Sequence, residues 1–140
     1  MRYWSRSHTQ LVVLSALLGA CGDSPHEVSL EECPNDEVTV TVSAASPPQF
    51  SWSPRCGMAS LQVYPSAGGP SVWVLYSGGQ AATNPFRSGI VYGHAPVGAL
   101  EVTGPAPLSR GIEYRVLVYR WIGDGLGGNL FVAGAGSFQL

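Results

Sequence analysis

The chain has 140 residues, of which 18 are glycine and 11 are proline, and only 11% are charged. It contains no lysine, and its formal net charge is −2. An apolar fraction of 45% is too high for a wholly disordered protein. No basic stripe is present, so the composition does not indicate a nucleic-acid partner. Abundant glycine and proline between apolar runs favour an all-β chain with many turns over a helical one.

Residues 1–20 have the layout of a secretory signal peptide. Arg2 and Arg6 provide a positive start, an apolar run follows over 11–18, and small residues precede Cys21. The apolar run is much shorter than the roughly 18 residues needed to span a bilayer. We therefore expect this segment to be a signal peptide and not a stable transmembrane helix.

The end of this segment adds a second signal. Leu18-Gly19-Ala20-Cys21 resembles the bacterial lipobox, which has a large aliphatic residue, two small residues and an obligatory cysteine. The resemblance implies cleavage before Cys21, a diacylglyceryl group on its thiol, and a fatty acid such as palmitate on the new amino terminus. Each buried methylene contributes about 0.8 kcal/mol, so two or three acyl chains hold a protein firmly on a membrane. By resemblance to enterobacterial sorting, Gly22 in place of aspartate favours the outer membrane.

The charges after the anchor are unevenly distributed. Removing residues 1–20 from 140 leaves 120 residues, which is one domain by length. Residues 21–37 hold six of the nine acids, and we interpret this segment as an acidic tether. A cation-binding role is the alternative, although the spacing matches no known cation-binding loop. Residues 38–140 carry five arginines against three acids, a formal charge of +2, and are predicted to form the folded domain.

Two cysteines remain once Cys21 is lipidated. Outside the cytoplasm, Cys33 and Cys56 are expected to be oxidised. Predicted strands over 38–43 and 49–53 form a hairpin whose open end brings the two cysteines opposite each other. Closing a loop of this size stabilises a fold by about 3 kcal/mol. We predict a Cys33–Cys56 disulfide; two free thiols or a metal site are the alternatives, and a metal would need further ligands.

Apolar and polar residues alternate along much of the remaining chain, which is typical of half-buried strands. The predicted strands cover residues 38–43, 49–53, 59–64, 72–76, 112–122, 130–132 and 136–140, and two further candidates with less regular alternation cover 89–93 and 99–103. The longest is 112–122, with one buried face predicted to contain Ile112, Tyr114, Val116 and Val118. Short strands separated by turn signals predict an all-β fold, an antiparallel β-sandwich of about seven strands.

Two segments resemble the fibronectin type III family. Residues 50–54 are similar to its second strand, where a core tryptophan precedes a proline. Residues 108–118 are similar to its L-x-P-G-x-x-Y-x-V-x-V segment, with Arg110 in place of the proline. The resemblance spans roughly 38–138 and implies that the Tyr114 hydroxyl bonds back to nearby backbone. It implies a fold and no particular function, because this sandwich hosts unrelated roles.

The predicted domain has few residues suited to catalysis. His94 is its one histidine, and its acids are Glu101, Glu113 and Asp124. A catalytic triad needs a serine, a histidine and an orienting acid held together, and a zinc site needs three or four clustered ligands. We therefore predict no catalytic residue, no metal site and no cofactor. A small hydrolase centred on His94 is kept as a distant alternative.

Two segments are candidates for ligand contact. Trp121, Asp124 and Asn129 flank or lie in the glycine-rich turn between the last predicted strands, a frequent contact site in fibronectin-like modules. Phe86 and Arg87 place an aromatic ring beside a cation, a combination common in binding surfaces. The structural alternatives are an ordinary hairpin turn in the first case and aromatic cover for the sandwich edge in the second.

These observations favour a membrane-anchored, non-catalytic lipoprotein that serves as an interaction or envelope module. Its expected partner is the membrane, through lipid on Cys21, together with a protein or glycan of unknown identity. The alternative function is a carbohydrate-binding module that stacks sugars on Trp73, Trp121 or nearby tyrosines.

Overall fold

The computed structural model describes residues 32–78, 83–123 and 127–140. The predicted signal peptide, Cys21, most of the acidic tether and Asp124 lie outside these residues. The described chain contains a short 3-10 helix at Pro34–Asp36 and the strands β1 Thr39–Val42, β2 Gln49–Ser53, β3 Ser60–Pro65, β4 Trp73–Ser77, β5 Ile90–Val91, β6 Ala99–Thr103, β7 Glu113–Ile122 and β8 Asn129–Gln139. No helix in these ranges is long and apolar enough to cross a membrane.

The strands form two antiparallel sheets that face each other across a shared core. One sheet has the order β1-β2-β5 and the other the order β6-β4-β3-β7-β8. The core cluster draws on both, with Phe50 and Trp52 from β2 and Leu61 and Val63 from β3. The predicted all-β sandwich is confirmed, with eight strands in the described residues where about seven were expected.

The alternation in the first hairpin decides which side chains enter the core. In β1, Val40 and Val42 pack against the core while the threonines face solvent. In β2, Phe50 is 0% and Trp52 2% exposed, and the residues between and beside them point outward. Period-2 side-chain placement therefore gives this sheet an apolar inner face and a hydroxyl-rich outer face.

Aromatic rings fill the centre of the sandwich. Trp73 on β4 is fully buried, and its ring centroid lies 5.1 Å from that of Tyr92 and 6.4 Å from that of Phe50. Tyr92 meets both partners edge-on, an arrangement that the charge distribution of aromatic rings favours. β4 is buried on both faces over Trp73 to Leu75, as its uninterrupted apolar sequence indicates.

The predicted disulfide is confirmed. Cys33 and Cys56 are bonded, with their Cα atoms 5.3 Å apart. β1 pairs with β2 along its length, which places the two cysteines at the open end of the hairpin as expected. Asp36 also forms an ion pair with Arg120, with 2.9 Å between Asp36 Oδ1 and Arg120 Nε. The end of the predicted tether is thus attached to the sandwich at two points.

The last strand differs from the prediction. Segments 130–132 and 136–140 belong to one strand, β8, which at 11 residues is longer than the ten-residue β7. Its pairing with β7 shifts at Ala133, where a β-bulge inserts one residue into the ladder. Small residues between the two predicted segments removed the apolar signal there. Sheet pairing uses backbone groups, so it continues where side chains give no alternation.

Ile112 also differs from the prediction. It was expected on the buried face with Tyr114, Val116 and Val118, and those three are buried. Ile112, however, is 42% exposed and precedes the first residue of β7. It follows Gly111, whose φ of +78° belongs to a turn, so strand alternation does not extend back to Ile112.

Candidate functional site

The outer face of the five-stranded sheet carries a row of side chains, one from each strand. The row, here called the tyrosine row, consists of Leu100, Tyr76, Ser60, Tyr119 and Val132, each opposite the next in the strand register. Residues directly opposite each other on antiparallel strands share a face. Leu100 and Val132 are 58% and 53% exposed, while the two tyrosines between them are half-buried. The row therefore presents exposed apolar side chains at both edges of the sheet and two half-buried tyrosines between them.

Gln62 connects the two tyrosines of the row. The Tyr119 hydroxyl donates to Gln62 Oε1 at 3.2 Å, and Gln62 Nε2 donates to the Tyr76 hydroxyl at 3.3 Å. Ser60 between the two tyrosines is fully buried and donates its hydroxyl to the Leu75 carbonyl at 2.8 Å. The two tyrosine hydroxyls are held by one amide, which restricts the orientations of their side chains.

Burial raises the pKa of Tyr119 above its ordinary value, and the neighbouring Tyr64 and Tyr76 add to the effect. Tyr64 lies on the same face of β3, two residues beyond Gln62. An ordinary tyrosine is already protonated near pH 7, and the raised pKa extends this to higher pH, so the Tyr119 hydroxyl is a neutral hydrogen-bond donor. The face offers aromatic rings and neutral polar groups around Gln62, and the exposed Arg115 lies opposite Tyr64.

The predicted contact residue Trp121 lies beside the row. It is two residues beyond Tyr119 on β7 and opposite Leu130, so strand alternation places it on the same face. Its backbone is fixed by Asn84: the Trp121 N–H donates to Asn84 Oδ1 at 2.6 Å, and Asn84 Nδ2 donates to the Trp121 carbonyl at 3.0 Å. The structure thus brings Trp121 together with tyrosines from other strands.

The outer face of the three-stranded sheet forms a groove with a cavity volume of about 700 Å³. Five of its lining side chains are hydroxyls, namely Thr39, Thr41, Ser51, Ser53 and Ser88. Gln49 contributes an amide, and Arg55 and Arg87 contribute positive charge. None of the described residues that line this groove, here called the hydroxyl groove, is acidic. Its volume lies within the range of about 300–1,000 Å³ that is usual for small-ligand sites.

Hydrogen bonds hold the rim of the hydroxyl groove in place. The Ser88 hydroxyl accepts from the Trp52 N–H at 2.7 Å and donates to the Trp52 carbonyl at 3.0 Å. Gln49 Nε2 donates to the Gly89 carbonyl at 3.0 Å. Gly89 has a φ of +104°, a conformation that glycine adopts without strain. The loop that carries Arg87 is therefore tied to β2.

A second hollow of about 630 Å³ adjoins the groove. The two share Arg87, Ser88 and Gly89, and the second hollow adds His94 and Val97. His94 is exposed, and its backbone N–H donates to the Val91 carbonyl at 3.0 Å. The arginine-bearing loop thus borders both depressions.

The remaining predicted contact residues lie in different environments. Phe86 is 2% exposed and pairs with Met58 through backbone hydrogen bonds, so its ring belongs to the core and the expectation of ligand contact is corrected. Arg87 is exposed on the groove rim. Asn129 is exposed at the start of β8. Asp124 lies outside the described residues.

Trp73 also requires a correction, because it was considered as a sugar-stacking platform. It is fully buried, and its Nε1–H donates to Glu101 Oε2 at 3.0 Å. Glu101 is thereby engaged as a hydrogen-bond acceptor, and Glu113 is an exposed residue of β7.

Among the described residues, no group of three or more histidine, cysteine, aspartate or glutamate side chains could hold a metal ion.

Sequence reasoning did not identify either face as a unit. The polar residues that alternate with apolar ones in β1 and β2 line the hydroxyl groove. In the sequence, this alternation predicted only which residues face the core. The tyrosines of the row lie on strands far apart in the chain, and the strand register decides that they are neighbours. Propensity along one strand carries no information about that register.

No protein-family model, curated protein or solved structure matches this chain. One structural feature implied by the fibronectin type III resemblance is nevertheless present. The Tyr114 hydroxyl accepts a hydrogen bond from the Ser109 N–H at 2.9 Å. Since a sandwich of this kind supports many roles, a functional argument has to come from the surfaces just described.

Proposed function

We propose that this chain is a non-catalytic binding module that lipid on Cys21 anchors to the bacterial cell envelope. The observation that carries the proposal is the tyrosine row, an apolar and aromatic band across an open sheet face. Tyrosine supplies large contact area with few rotatable bonds, and it is enriched where protein surfaces contribute most to binding. Leu100 and Val132 extend the band to both sheet edges with more than half of each side chain exposed.

The anchor rests on the lipobox resemblance of Leu18–Cys21, with the outer membrane favoured. The Cys33–Cys56 disulfide supports an oxidising compartment outside the cytoplasm. The acidic tether is proposed to act as a solvated spacer between the lipid and the domain. In this arrangement the membrane is one partner and the tyrosine row meets the other.

A fibronectin type III-like domain is the finer fold that we propose. Trp52 is buried ahead of Pro54, in agreement with the expected core position. The Ser109–Tyr114 hydrogen bond supports the expected tyrosine corner. The buried Val116 and Val118 agree with the apolar positions of the same motif.

A carbohydrate-binding module is the second candidate, and the Gln62 amide favours it. Sugar rings stack their apolar faces on aromatic side chains while their hydroxyls need donors and acceptors. Tyr76, Tyr119 and the adjacent Trp121 supply rings, and Gln62 supplies both a donor and an acceptor among them. A flat sheet face with this composition suits an extended glycan chain.

The experiment that tests the proposal changes the exposed ends of the tyrosine row. We expect Leu100→Thr with Val132→Thr to reduce cross-linking of the protein to its envelope partner at least tenfold, because exposed apolar contact is lost. Threonine retains strand propensity, so the free energy of unfolding should change by less than about 1 kcal/mol. Glu113→Gln, on an exposed position of β7, is the matched control. Equal capture of one partner by wild type and the double variant would refute the proposal.

Glycan-array binding separates the two candidates. Tyr76→Phe removes the hydroxyl that accepts from Gln62 but keeps the ring. A carbohydrate module should lose affinity for its glycan with this change, whereas an apolar protein contact should be retained. No glycan binding by the wild-type protein would leave the protein-partner function as the better proposal.

A further inference from the structure

We infer that Leu130 and Phe131, at the end of the sandwich where the tether enters, contact the surface of a zwitterionic phospholipid bilayer. This end, here called the tether end, is the one at which β7 ends and β8 begins. The contact rests on the proposed function, because lipid on Cys21 is what brings the domain to a membrane. It adds an orientation in which the strands point away from the bilayer and the tyrosine row faces sideways, open to its partner.

The tether joins the sandwich beside the first residues of β8. Asp36 is paired with Arg120, which lies opposite Phe131 in the strand register. The Val38 N–H donates to the Ala133 carbonyl at 2.9 Å, two residues further along β8. The chain that leads to the anchor therefore reaches the domain next to Phe131.

The same end carries apolar side chains that the sandwich does not cover. Leu130 is 36% and Phe131 50% exposed, and Val97, which precedes β6, is fully exposed. The strand register places all three beyond the tyrosine row, on the side of Cys56. Trp121, opposite Leu130, is half-buried at this end. Leucine, phenylalanine and tryptophan are side chains that proteins bury at the boundary between lipid headgroups and acyl chains.

The length of the tether keeps this end close to the membrane. Cys33 is 12 residues after Cys21, and an extended chain spans at most about 3.6 Å per residue, so the two lie within roughly 43 Å of each other. The disulfide fixes Cys33 to Cys56, so the attachment point cannot move along the domain. A short linker holds the surface beside it at a high effective concentration, so a few apolar side chains suffice for contact.

The charges near this end indicate a bilayer without net charge. Residues 21–37 hold six of the nine acids, and an anionic surface would repel them. Arg120 is paired with Asp36, and Glu37 beside the pair is exposed. A zwitterionic surface accepts the apolar side chains without this repulsion.

The test attaches the full-length chain to vesicles through the Cys21 thiol and a maleimide lipid, so it does not depend on lipidation in the cell. Cys33 and Cys56 are bonded to each other, which leaves Cys21 as the reactive thiol. Every protein carries Trp4→Phe, so that of the remaining tryptophans only Trp121 is not buried. Quenching of its fluorescence by phosphatidylcholine with brominated acyl chains is the readout. Residues 1–20 are common to all variants, so differences between variants do not come from them.

We expect Leu130→Thr with Phe131→Thr to lower the quenching of Trp121 at least threefold, because the apolar contact is lost. Ile112→Thr with Leu140→Thr is the matched control, since both are exposed apolar residues at the opposite end of the sheet. Threonine retains strand propensity, and thermal unfolding establishes that each variant is folded. Truncation of Leu130 uncovers the ring opposite it, so reduced quenching reports lost membrane contact and not new shielding.

Quenching that requires Leu130 and Phe131 and tolerates the control pair supports the inference. No quenching in the wild-type surface, equal quenching in the Leu130–Phe131 variant, or an equal loss in the control pair would overturn it. Stronger quenching on vesicles that contain phosphatidylglycerol would overturn the choice of a zwitterionic surface. If the uncoupled protein forms a dimer that the Leu130–Phe131 variant does not, the occupant is a second copy and the inference fails. Absence of acylation in the cell, or of partner capture by the tyrosine row, bears on the proposed function alone.

Discussion

Two buried tyrosines show how single hydroxyl groups stabilise this sandwich. The Tyr92 hydroxyl donates to the Ala106 carbonyl at 2.6 Å, which ties β5 to the segment before β7. The Tyr114 hydroxyl accepts from the Ser109 N–H at 2.9 Å. A buried polar group without a partner is costly, so each hydroxyl is satisfied by nearby backbone. The sequence motif predicted the second contact, whereas nothing around Tyr92 predicted the first.

Tyr92 should make stability fall at alkaline pH. Its burial, with a smaller effect from Tyr114, raises the pKa of Tyr92 from 10.0 to about 12. The phenol ionises at a lower pH in the unfolded chain than in the folded protein. The stabilisation that results is fully present below pH 10 and is lost as the pH rises towards 12. The raised pKa of Tyr92 contributes at most about 3 kcal/mol to the free energy of unfolding. Urea unfolding at several pH values between 8 and 11.5 measures the decline.

The Tyr92→Phe variant tests that assignment. It cannot ionise, so its free energy of unfolding should fall less steeply over the same pH range, from a lower starting value. Val40→Ala, which weakens core packing without removing an ionisable group, should lower the starting value but keep the wild-type slope. Identical slopes for wild type and Tyr92→Phe would show that Tyr92 does not control the alkaline decline.

At the level of elements, the contact between β1 and β8 depends on glycine. A Cβ atom at Gly134 would lie 2.6 Å from the Val38 carbonyl oxygen, and one at Gly136 would lie 3.1 Å from Val40 Cγ1. The Val38 N–H donates to the Ala133 carbonyl at 2.9 Å, so the two chain segments approach closely across the edge of the sandwich. The same glycines that obscured β8 in the sequence allow this approach.

Gly134→Ala should therefore destabilise the protein. We expect a loss of about 1–3 kcal/mol, because the Val38 backbone must move to admit the methyl group. Gly104→Ala is the control, since its nearest contact would be Glu101 Oε1 at 3.5 Å, an ordinary van der Waals distance. Urea unfolding of both variants gives the comparison. Gly134→Ala with the stability of Gly104→Ala would contradict this account of the edge.

Strands were predicted correctly where the local sequence pattern determines the structure. The hairpin of β1 and β2 was predicted together with the Cys33–Cys56 disulfide, because alternation and a short connection determine both. β6 was predicted with its observed bounds, Ala99–Thr103. β8 was predicted in two pieces, because its bulge and small residues leave no local signal.

For the whole molecule, the two sheet faces have different chemistry. The outer face of the five-stranded sheet carries the tyrosine row, and the outer face of the three-stranded sheet carries the hydroxyl groove. A sandwich presents these faces in opposite directions, so the two surfaces do not overlap. The tyrosine row is built on strands, which position side chains more rigidly than loops do, whereas the groove arginines lie in the segments after β2 and before β5.

Lipid attachment at Cys21 can be tested on the intact protein in its cell. Cys21→Ala removes the thiol that would carry the diacylglyceryl group. We expect the wild-type protein to partition into the membrane fraction and Cys21→Ala to be lost from it, because the acyl chains supply the hydrophobic attachment. Metabolic labelling with palmitate, followed by fractionation, provides the measurement. Gly22→Ala is the control, and membrane association of Cys21→Ala equal to wild type would refute lipid attachment at this cysteine.

The sequence by itself determined the fold class, most of the strands and the disulfide, because each depends on alternation or on spacing along a short stretch of chain. It also marked Trp121 and Arg87 as candidate contacts, and the structure places both at surfaces. Only the tertiary structure decided that Phe86 and Trp73 are core residues, since burial depends on what packs from the other sheet. It alone assembled the tyrosine row, because register between distant strands is set by packing of the whole sandwich and not by any one segment.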